Sequence, residues 1–180
     1  FNLLFAGNIG VAQSFDTIIS AFELIKNHNV NLIVLGDGRD KLRVKALVKK
    51  KKLKNKIYFL GSFPAEQMSN YFACCDALLI SLKKADIFSY TIPGKLQSYL
   101  ACGKPIIGSL DGIGNTIIKE SISGYCSPAE DYVGLSKIII KLMNDSDEKK
   151  ISFSENALSY YEKNFKKESL LLKLEEILKN

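Results

Sequence analysis

The chain has 180 residues, 47% of them hydrophobic and 24% charged, which suits one well-buried core better than two domains. Its 25 basic and 19 acidic residues leave a net charge of +6. No apolar run approaches the roughly 18 to 20 residues a membrane span needs, and no secretory signal is visible.

The first residue, Phe1, already reads as part of a strand, so the expectation is a piece of a longer protein. Leu3 to Ala6 is a strand entering a glycine turn, and Ser14 to Lys26 carries apolar residues at helical spacing. Leu32 to Leu35 is a second strand, ending at Gly36-Asp37-Gly38. Lys41 to Lys52 is a basic helix, and Ile57 to Leu60 is a third strand stopped by Gly61. Pro64 to Cys74 fits a helix with proline near its first turn, and Ala77 to Ile80 is a fourth strand. Pro93 to Ala101 is a helix ended by Gly103, and a fifth strand begins at Pro105 to Ile107. After a turn-rich patch, Asp111 to Asn115, come a short helix, Thr116 to Glu120, and a strand near Tyr125. From Asp131 the chain is helical, over Tyr132 to Met143, Glu148 to Phe165 and Leu170 to Leu178.

Strands alternating with helices, the strands continuously apolar, predict an α/β fold: a doubly wound, Rossmann-like parallel sheet covered on both faces. The expected domain spans residues 1–164. A C-terminal helix over 165–180, with Leu170, Leu171, Leu172, Leu174, Ile177 and Leu178, packs on this domain or on one outside the sequence. Ligands of such sheets bind beyond the carboxyl ends of the strands, where the turns at Gly7, Gly36 and Gly61 lie.

Cys74, Cys75, Cys102 and Cys126 lack zinc-ligand spacing and read as small buried hydrophobes of a reducing compartment. The single histidine, His28, argues against a Ser-His-Asp or Cys-His site within the chain. Asp76 and Asp86 form no matched acid/base pair by spacing. The basic stretch from Arg39 to Lys56 suits nucleic acid or an anionic membrane. With no aromatic interleaving, a solvated helix face is the preferred reading.

Three segments carry possible chemistry. In Gly7-Asn8-Ile9-Gly10-Val11-Ala12-Gln13-Ser14, glycines let the backbone approach a ligand and the following helix offers free N–H groups to an anion. It matches neither GxGxxG nor a Walker loop, and a plain connector reads equally well. In the second, Ile92-Pro93-Gly94-Lys95 opens a helix whose N–H groups and lysine suit a diphosphate. Gln97 and Ser98 lie one turn further in, near enough for a sugar or ribose hydroxyl. The third, Asp111 to Asn115 with Ser123-Gly124-Tyr125, reads as a cleft rim or as a solvent loop.

In order and spacing, Phe5-Ala6-Gly7-Asn8-Ile9-Gly10, Val34-Leu35-Gly36-Asp37-Gly38, Ile57-Tyr58-Phe59-Leu60-Gly61, Asp76-Ala77-Leu78-Leu79-Ile80, Tyr99-Leu100-Ala101-Cys102-Gly103-Lys104-Pro105-Ile106-Ile107 and Gly124-Tyr125-Cys126-Ser127-Pro128-Ala129-Glu130-Asp131 resemble the C-terminal domain of family 4 glycosyltransferases with the GT-B fold. The resemblance implies retaining transfer from a nucleotide diphosphate sugar with no cofactor and no obligatory metal. The acceptor, and a catalytic group, would come from an N-terminal domain. Where the family usually places an Arg and a Lys for the diphosphate, this sequence has Asn8 and Gln13. Tyr90 and Ser98 stand in place of its two glutamates. These departures, with Ile92-Pro93-Gly94-Lys95-Leu96-Gln97-Ser98-Tyr99, resemble the branch of aminosugar transferases, of the L-fucosamine type, that build bacterial surface polysaccharides such as capsule and lipopolysaccharide. The likeness implies a UDP-linked donor, with its base at Ser62 and Phe63. Its diphosphate would lie at Gly7, Asn8, Gly10 and the helix start Ile92, Pro93, Gly94 and Lys95. Gln13 would serve phosphate or sugar, and Ser98 or Gln97 the ribose. It further implies a cytoplasmic enzyme with peripheral membrane contact and no nucleic-acid partner. The rivals are a nucleotide-sugar 2-epimerase and a non-catalytic nucleotide-binding module.

Overall fold

The computed structural model describes residues 1–179, so the last residue of the expected C-terminal segment, Asn180, lies outside it. The side chains of Leu172 and Lys173 are likewise outside the described set.

Six strands form one parallel sheet: β1 Asn2–Ala6, β2 Asn31–Leu35, β3 Ile57–Gly61, β4 Ala77–Ser81, β5 Ile106–Ser109 and β6 Gly124–Ser127. Their order is β3-β2-β1-β4-β5-β6. The chain builds outward from β1 to one side, then returns to build the other side from β4. The carboxyl ends of β1 and β4 therefore flank the topological switch point.

The strand residues alternate between two cores. Leu3 and Phe5 of β1, Leu32 and Val34 of β2 and Leu79 of β4 pack against α1 (Phe15–Leu24), α2 (Lys41–Lys50) and α7 (Tyr132–Asn144). Leu4 and Ala6 of β1, Leu78 and Ile80 of β4 and Ile106 of β5 face α3 (Met68–Ala73), α5 (Gly94–Ala101) and α6 (Gly112–Glu120), together with Ala157 of α8 (Asp147–Asn164). Burial on both faces is why these strands read as unbroken apolar runs. Each fully buried Leu, Ile or Phe contributes about 1.5–3 kcal/mol of transfer free energy.

The helices follow from their stripes and caps. α2 buries only Val44 and Val48, so its lysines stay in water, and it ends two residues before the expected Lys52, where the backbone turns left-handed at φ 57°. Asp131 caps α7 by accepting from the Gly134 N–H at 2.8 Å, and Ser146 caps α8 through Lys149 at 3.3 Å. The expected helix from Pro64 to Cys74 is a 3-10 turn, Ala65–Gln67, followed by the six residues of α3. A four-residue helix, α4 (Asp86–Ser89), was not anticipated.

The Asp111 to Asn115 patch is neither a rim nor a solvent loop; it forms the first turn of α6. Gly112, at φ 67°, lets the chain pass against the Ser89 carbonyl of α4, and Gly114 leaves room for Leu110. Of the cysteines, Cys75 is buried and Cys102 and Cys126 half-buried, but Cys74 is exposed, so the small-hydrophobe reading fails at that position. The C-terminal helix α9 (Lys167–Lys179) contacts α8, and Leu170, Leu171, Leu174, Ile177 and Leu178 are exposed on it. Among the described residues no helix is long and apolar enough to cross a membrane, and no three His, Cys, Asp or Glu side chains form a metal-ligating group.

Candidate functional site

Three glycine turns meet at the carboxyl edge of the sheet and are laced together by backbone hydrogen bonds. The Gly7 N–H donates to Leu35 O at 2.9 Å, Ile9 N–H to Asp37 O at 2.7 Å, Asp40 N–H to Ile9 O at 3.1 Å and Gly36 N–H to Gly61 O at 2.7 Å. Gly7 and Gly36 sit at φ 137° and 134°, where an L side chain is strained. Gly36 also packs its α-carbon against the Gly7 carbonyl, and Gly38 packs against Ile9 O, so side chains there would push the two turns apart.

An ion cluster ties the same turns to the helices behind them. Arg43 of α2 donates from Nη1 and Nη2 to Asp16 at 2.8 and 2.7 Å, and from Nε and Nη2 to Asp40, both at 2.7 Å. Asp16 lies at the start of α1, just after the Gly7–Gln13 segment, and Asp40 ends the β2 turn. The Arg43 hydrogen bonds hold both carboxyls below their ordinary range.

On the other side of the switch point, α5 is anchored by Tyr99. This side chain is fully buried, accepts from the Ala6 N–H at 2.9 Å and donates to the Ala6 carbonyl at 3.3 Å. Burial keeps its phenol protonated. Lys95 lies four residues earlier, on the same helix face. Its Nζ is 4.0 Å from the centroid of the Phe5 ring, and a β-carbon on Gly7 would stand 3.2 Å from it. Phe5 belongs to the core opposite α5, so the Lys95 amine reaches across the carboxyl end of the sheet. Nζ is buried with no hydrogen-bond partner among the described residues, and burial lowers its pKa to about 8.

Between these parts opens a cavity of about 690 Å³. Its floor is Ala6, Gly7, Asn8 and Lys95. One wall is Leu35, Gly36 and Asp37, a second is Ser62, Phe63, Ala65, Met68, Ser69 and Phe72, and α5 supplies Ser98, Tyr99 and Cys102. Phe63 is braced by Tyr71, ring centroids 4.4 Å apart. The one carboxylate on this lining, Asp37, is exposed and already bonded to Lys41 at 2.9 Å and to the Gly38 N–H at 2.8 Å.

Of the residues singled out from the sequence, the fold brings Gly7, Asn8, Ser62, Phe63, Lys95 and Ser98 to this one cavity. Gly10 lies instead in an adjoining hollow of about 550 Å³ shared with Asn8, Val11, Ala12, Arg39 and Asp40. Gln13 does not line either; its Oε1 accepts from the Gly10 N–H at 3.2 Å and closes the 3-10 turn Val11–Gln13. Ile92, Pro93 and Gly94 stand at the mouth of α5 and not on the cavity wall. Gly94 faces open space, and Pro93 is the residue nearest Gly114 after Leu110. Ser98 Oγ leans on the Gly94 carbonyl at 3.5 Å. Asp76 accepts from the Asn2 N–H at the opposite end of the sheet, and Asp86 begins α4, so neither lines the cavity. Sequence reasoning missed Tyr99 and the apolar wall of Met68, Phe72 and Cys102. The Lys95–Tyr99 spacing was the available signal for the first; the second consists of apolar residues within or beside expected helices and carried no signal of its own.

Residues 1–160 match the family model described as Glycosyl transferases group 1. The chain is 29% identical over 140 residues to a probable glycosyltransferase, WbjE, of Pseudomonas aeruginosa, covering 75% of this chain and 34% of that protein. It is 24% identical over 176 residues to the N-acetyl-alpha-D-glucosaminyl L-malate synthase of Bacillus anthracis, covering 97% of this chain and 44% of that one. A crystal structure of Anabaena HepE in complex with UDP and glucose superposes with a TM-score of 0.82 at 18% identity, over 100% of this chain and 48% of HepE. The chain thus spans between about a third and a half of the length of these relatives.

Proposed function

The chain belongs to the group 1 glycosyl transferases and has the Rossmann-like α/β architecture of GT-B enzymes, and from that premise we propose that it is the donor-binding half of a family 4 enzyme of the aminosugar-transferring branch. The donor is a UDP-linked sugar, transfer is retaining and without a metal or cofactor, and the acceptor is a bacterial surface glycan, capsule or lipopolysaccharide. The full-length enzyme works in the cytoplasm, in peripheral contact with the membrane.

One observation carries the reading: a cavity at the switch point holds a buried amine with no hydrogen-bond partner among the described residues, beside a glycine turn and a helix N-terminus. A buried amine without a protein partner is a site for an anion. The backbone at Gly7 and Asn8 and the Lys95 side chain line the same space, with the helix start at Gly94 beside it, which suits a diphosphate. Phe63, Met68 and Phe72 offer an apolar wall for a base, and Ser98 a hydroxyl for the ribose. That HepE was crystallised with UDP and glucose supports uridine over other nucleosides. With its phosphates neutralised, the nucleotide diphosphate leaves more easily as the glycosidic bond breaks. The lining holds no imidazole and no free carboxylate pair, so acceptor activation falls to the N-terminal half, whose closure excludes water.

Calorimetric titration of the 180-residue chain with UDP, GDP and ADP at moderate salt tests this. UDP should saturate one site, and Lys95→Met should weaken it at least tenfold. Equal binding of all three, or binding indifferent to Lys95, would remove the base assignment or the site respectively.

A further inference from the structure

The orphaned amine has a consequence that goes deeper than a charge in the site, and it rests on the donor-site reading above. We propose that Lys95 is a stowed cation: it lies under the Gly7 turn against Phe5, and it is fully protonated only when a nucleoside diphosphate occupies the cavity, so that donor binding is coupled to uptake of a proton by this side chain.

The geometry leaves few alternatives. The amine is out of water and among the described residues has no hydrogen-bond acceptor, only the face of Phe5 at 4.0 Å. A ring face supports an ammonium far less than a carboxylate or phosphate does. No neighbouring charge relieves it. Of the groups that line the cavity with Lys95, only Asp37, Tyr99 and Cys102 titrate. Asp37 is spent on Lys41 and the Gly38 N–H, Tyr99 on Ala6, and burial raises the pKa of the Cys102 thiol as it does that of the phenol. The turn above (Gly7, Asn8), the β3 loop (Ser62, Phe63) and α3 (Met68, Ser69, Phe72) present no ionisable group. Burial is accordingly the whole cause of the shift to about 8. A diphosphate against the Gly7 turn would supply the missing acceptor and restore the ordinary range near 10.4.

The sign follows. A group whose pKa rises on binding favours the complex below its free value, and the advantage is lost as pH climbs through that value. With a free value of about 8, UDP affinity should fall about tenfold from pH 7 to pH 9, with up to one proton taken up per UDP at the upper end.

Titration calorimetry of the chain with UDP at pH 7, 8 and 9, each in two buffers of different ionisation enthalpy, reads both quantities. Lys95→Arg, whose guanidinium stays charged throughout, should bind with no pH slope and no proton uptake in this range. NMR titration of the side chain in lysine-labelled wild-type protein gives the free and UDP-bound values directly, whether or not the variant folds. A tenfold slope present in wild type and absent in Lys95→Arg upholds the proposal. UDP binding that is flat from pH 7 to 9 overturns it while leaving the donor site intact. No UDP binding at any pH overturns both.

Discussion

Two glycines of the site make opposite predictions at the scale of single residues. Gly7 is at φ 137° with the Lys95 amine just beyond it, whereas Gly94 faces open space in an ordinary helical start. Gly7→Ala should therefore strain the turn and displace Lys95, abolishing UDP binding in a chain that still gives a folded circular dichroism spectrum. Gly94→Ala should bind UDP as before and gain about 0.5–1 kcal/mol from the smaller entropy of its unfolded state. Similar losses of binding in both variants would contradict the placement of Lys95. Tyr99→Phe is the third case. It leaves the buried N–H of Ala6 without an acceptor, a cost of about 1–3 kcal/mol. The midpoint in urea should drop with an unchanged slope, and UDP affinity should fall with it because α5 loses its anchor. A midpoint that stays put would show that α5 is held by packing alone.

The elements were legible from the sequence where burial writes a periodic pattern. The strands ending at Ala6, Leu35 and Ser81 are apolar through their centres because helices cover both faces, and the edge strand ending at Gly61 is apolar although Tyr58 and Leu60 are exposed. The glycines that stop the first three strands of the chain are those the turns require. Misreadings fell where one residue type serves two ends. Gly112 and Gly114 looked like a loop, yet they are small so that α6 can begin against Ser89 and over Leu110. The four residues of α4 are too few for any periodicity to show. Lys95 read as a diphosphate ligand at a helix start, but nothing local reveals that Tyr99 pins that face inward and that the amine is buried. Gln13 read as a ligand, and its oxygen is spent on Gly10. The Arg43 clamp was invisible because Asp16 lies 27 residues before Arg43, although Asp40 is only three residues away. Its worth is modest, about 1 kcal/mol, since Arg43 and Asp16 are half exposed. Both carboxyls are held below their ordinary value, so the stability they add is present above about pH 4 and vanishes as pH falls through the folded values. Urea unfolding of wild type and Arg43→Met should differ by a constant amount from pH 7 to 5, and the gap should begin to narrow as pH falls below about 4 and keep narrowing through the depressed folded values. A gap that does not narrow with acid at all would mean that Arg43 acts through its aliphatic stem and not its charge.

At the scale of the whole molecule, the sheet order sets the division of labour. Reversal of strand order between β1 and β4 opens a crevice at one place on the carboxyl edge, and the Gly7 turn, the β3 loop and α5 converge there. The convergence of Gly7, Asn8, Ser62, Phe63, Lys95 and Ser98 could be anticipated once the turns were assigned to that edge. The apolar wall could not, because a residue lining a pocket and a residue filling a core look alike in sequence. The cavity offers a binding surface, and its one unpartnered buried amine among the described residues, Lys95, serves the donor phosphates, so the chain by itself should bind donor nucleotide and transfer no sugar. Measurable turnover of a UDP-sugar by the isolated chain would refute that division. The central claim, that this crevice receives a nucleoside diphosphate, is tested most directly by mapping amide NMR shifts of the labelled chain during a UDP titration. The account predicts saturable shifts confined to Gly7 and Asn8, Ser62 and Phe63, and Gly94 to Ser98. Shifts that cluster instead on the lysines of α2 and the exposed edge of β3, or that never saturate, would contradict it.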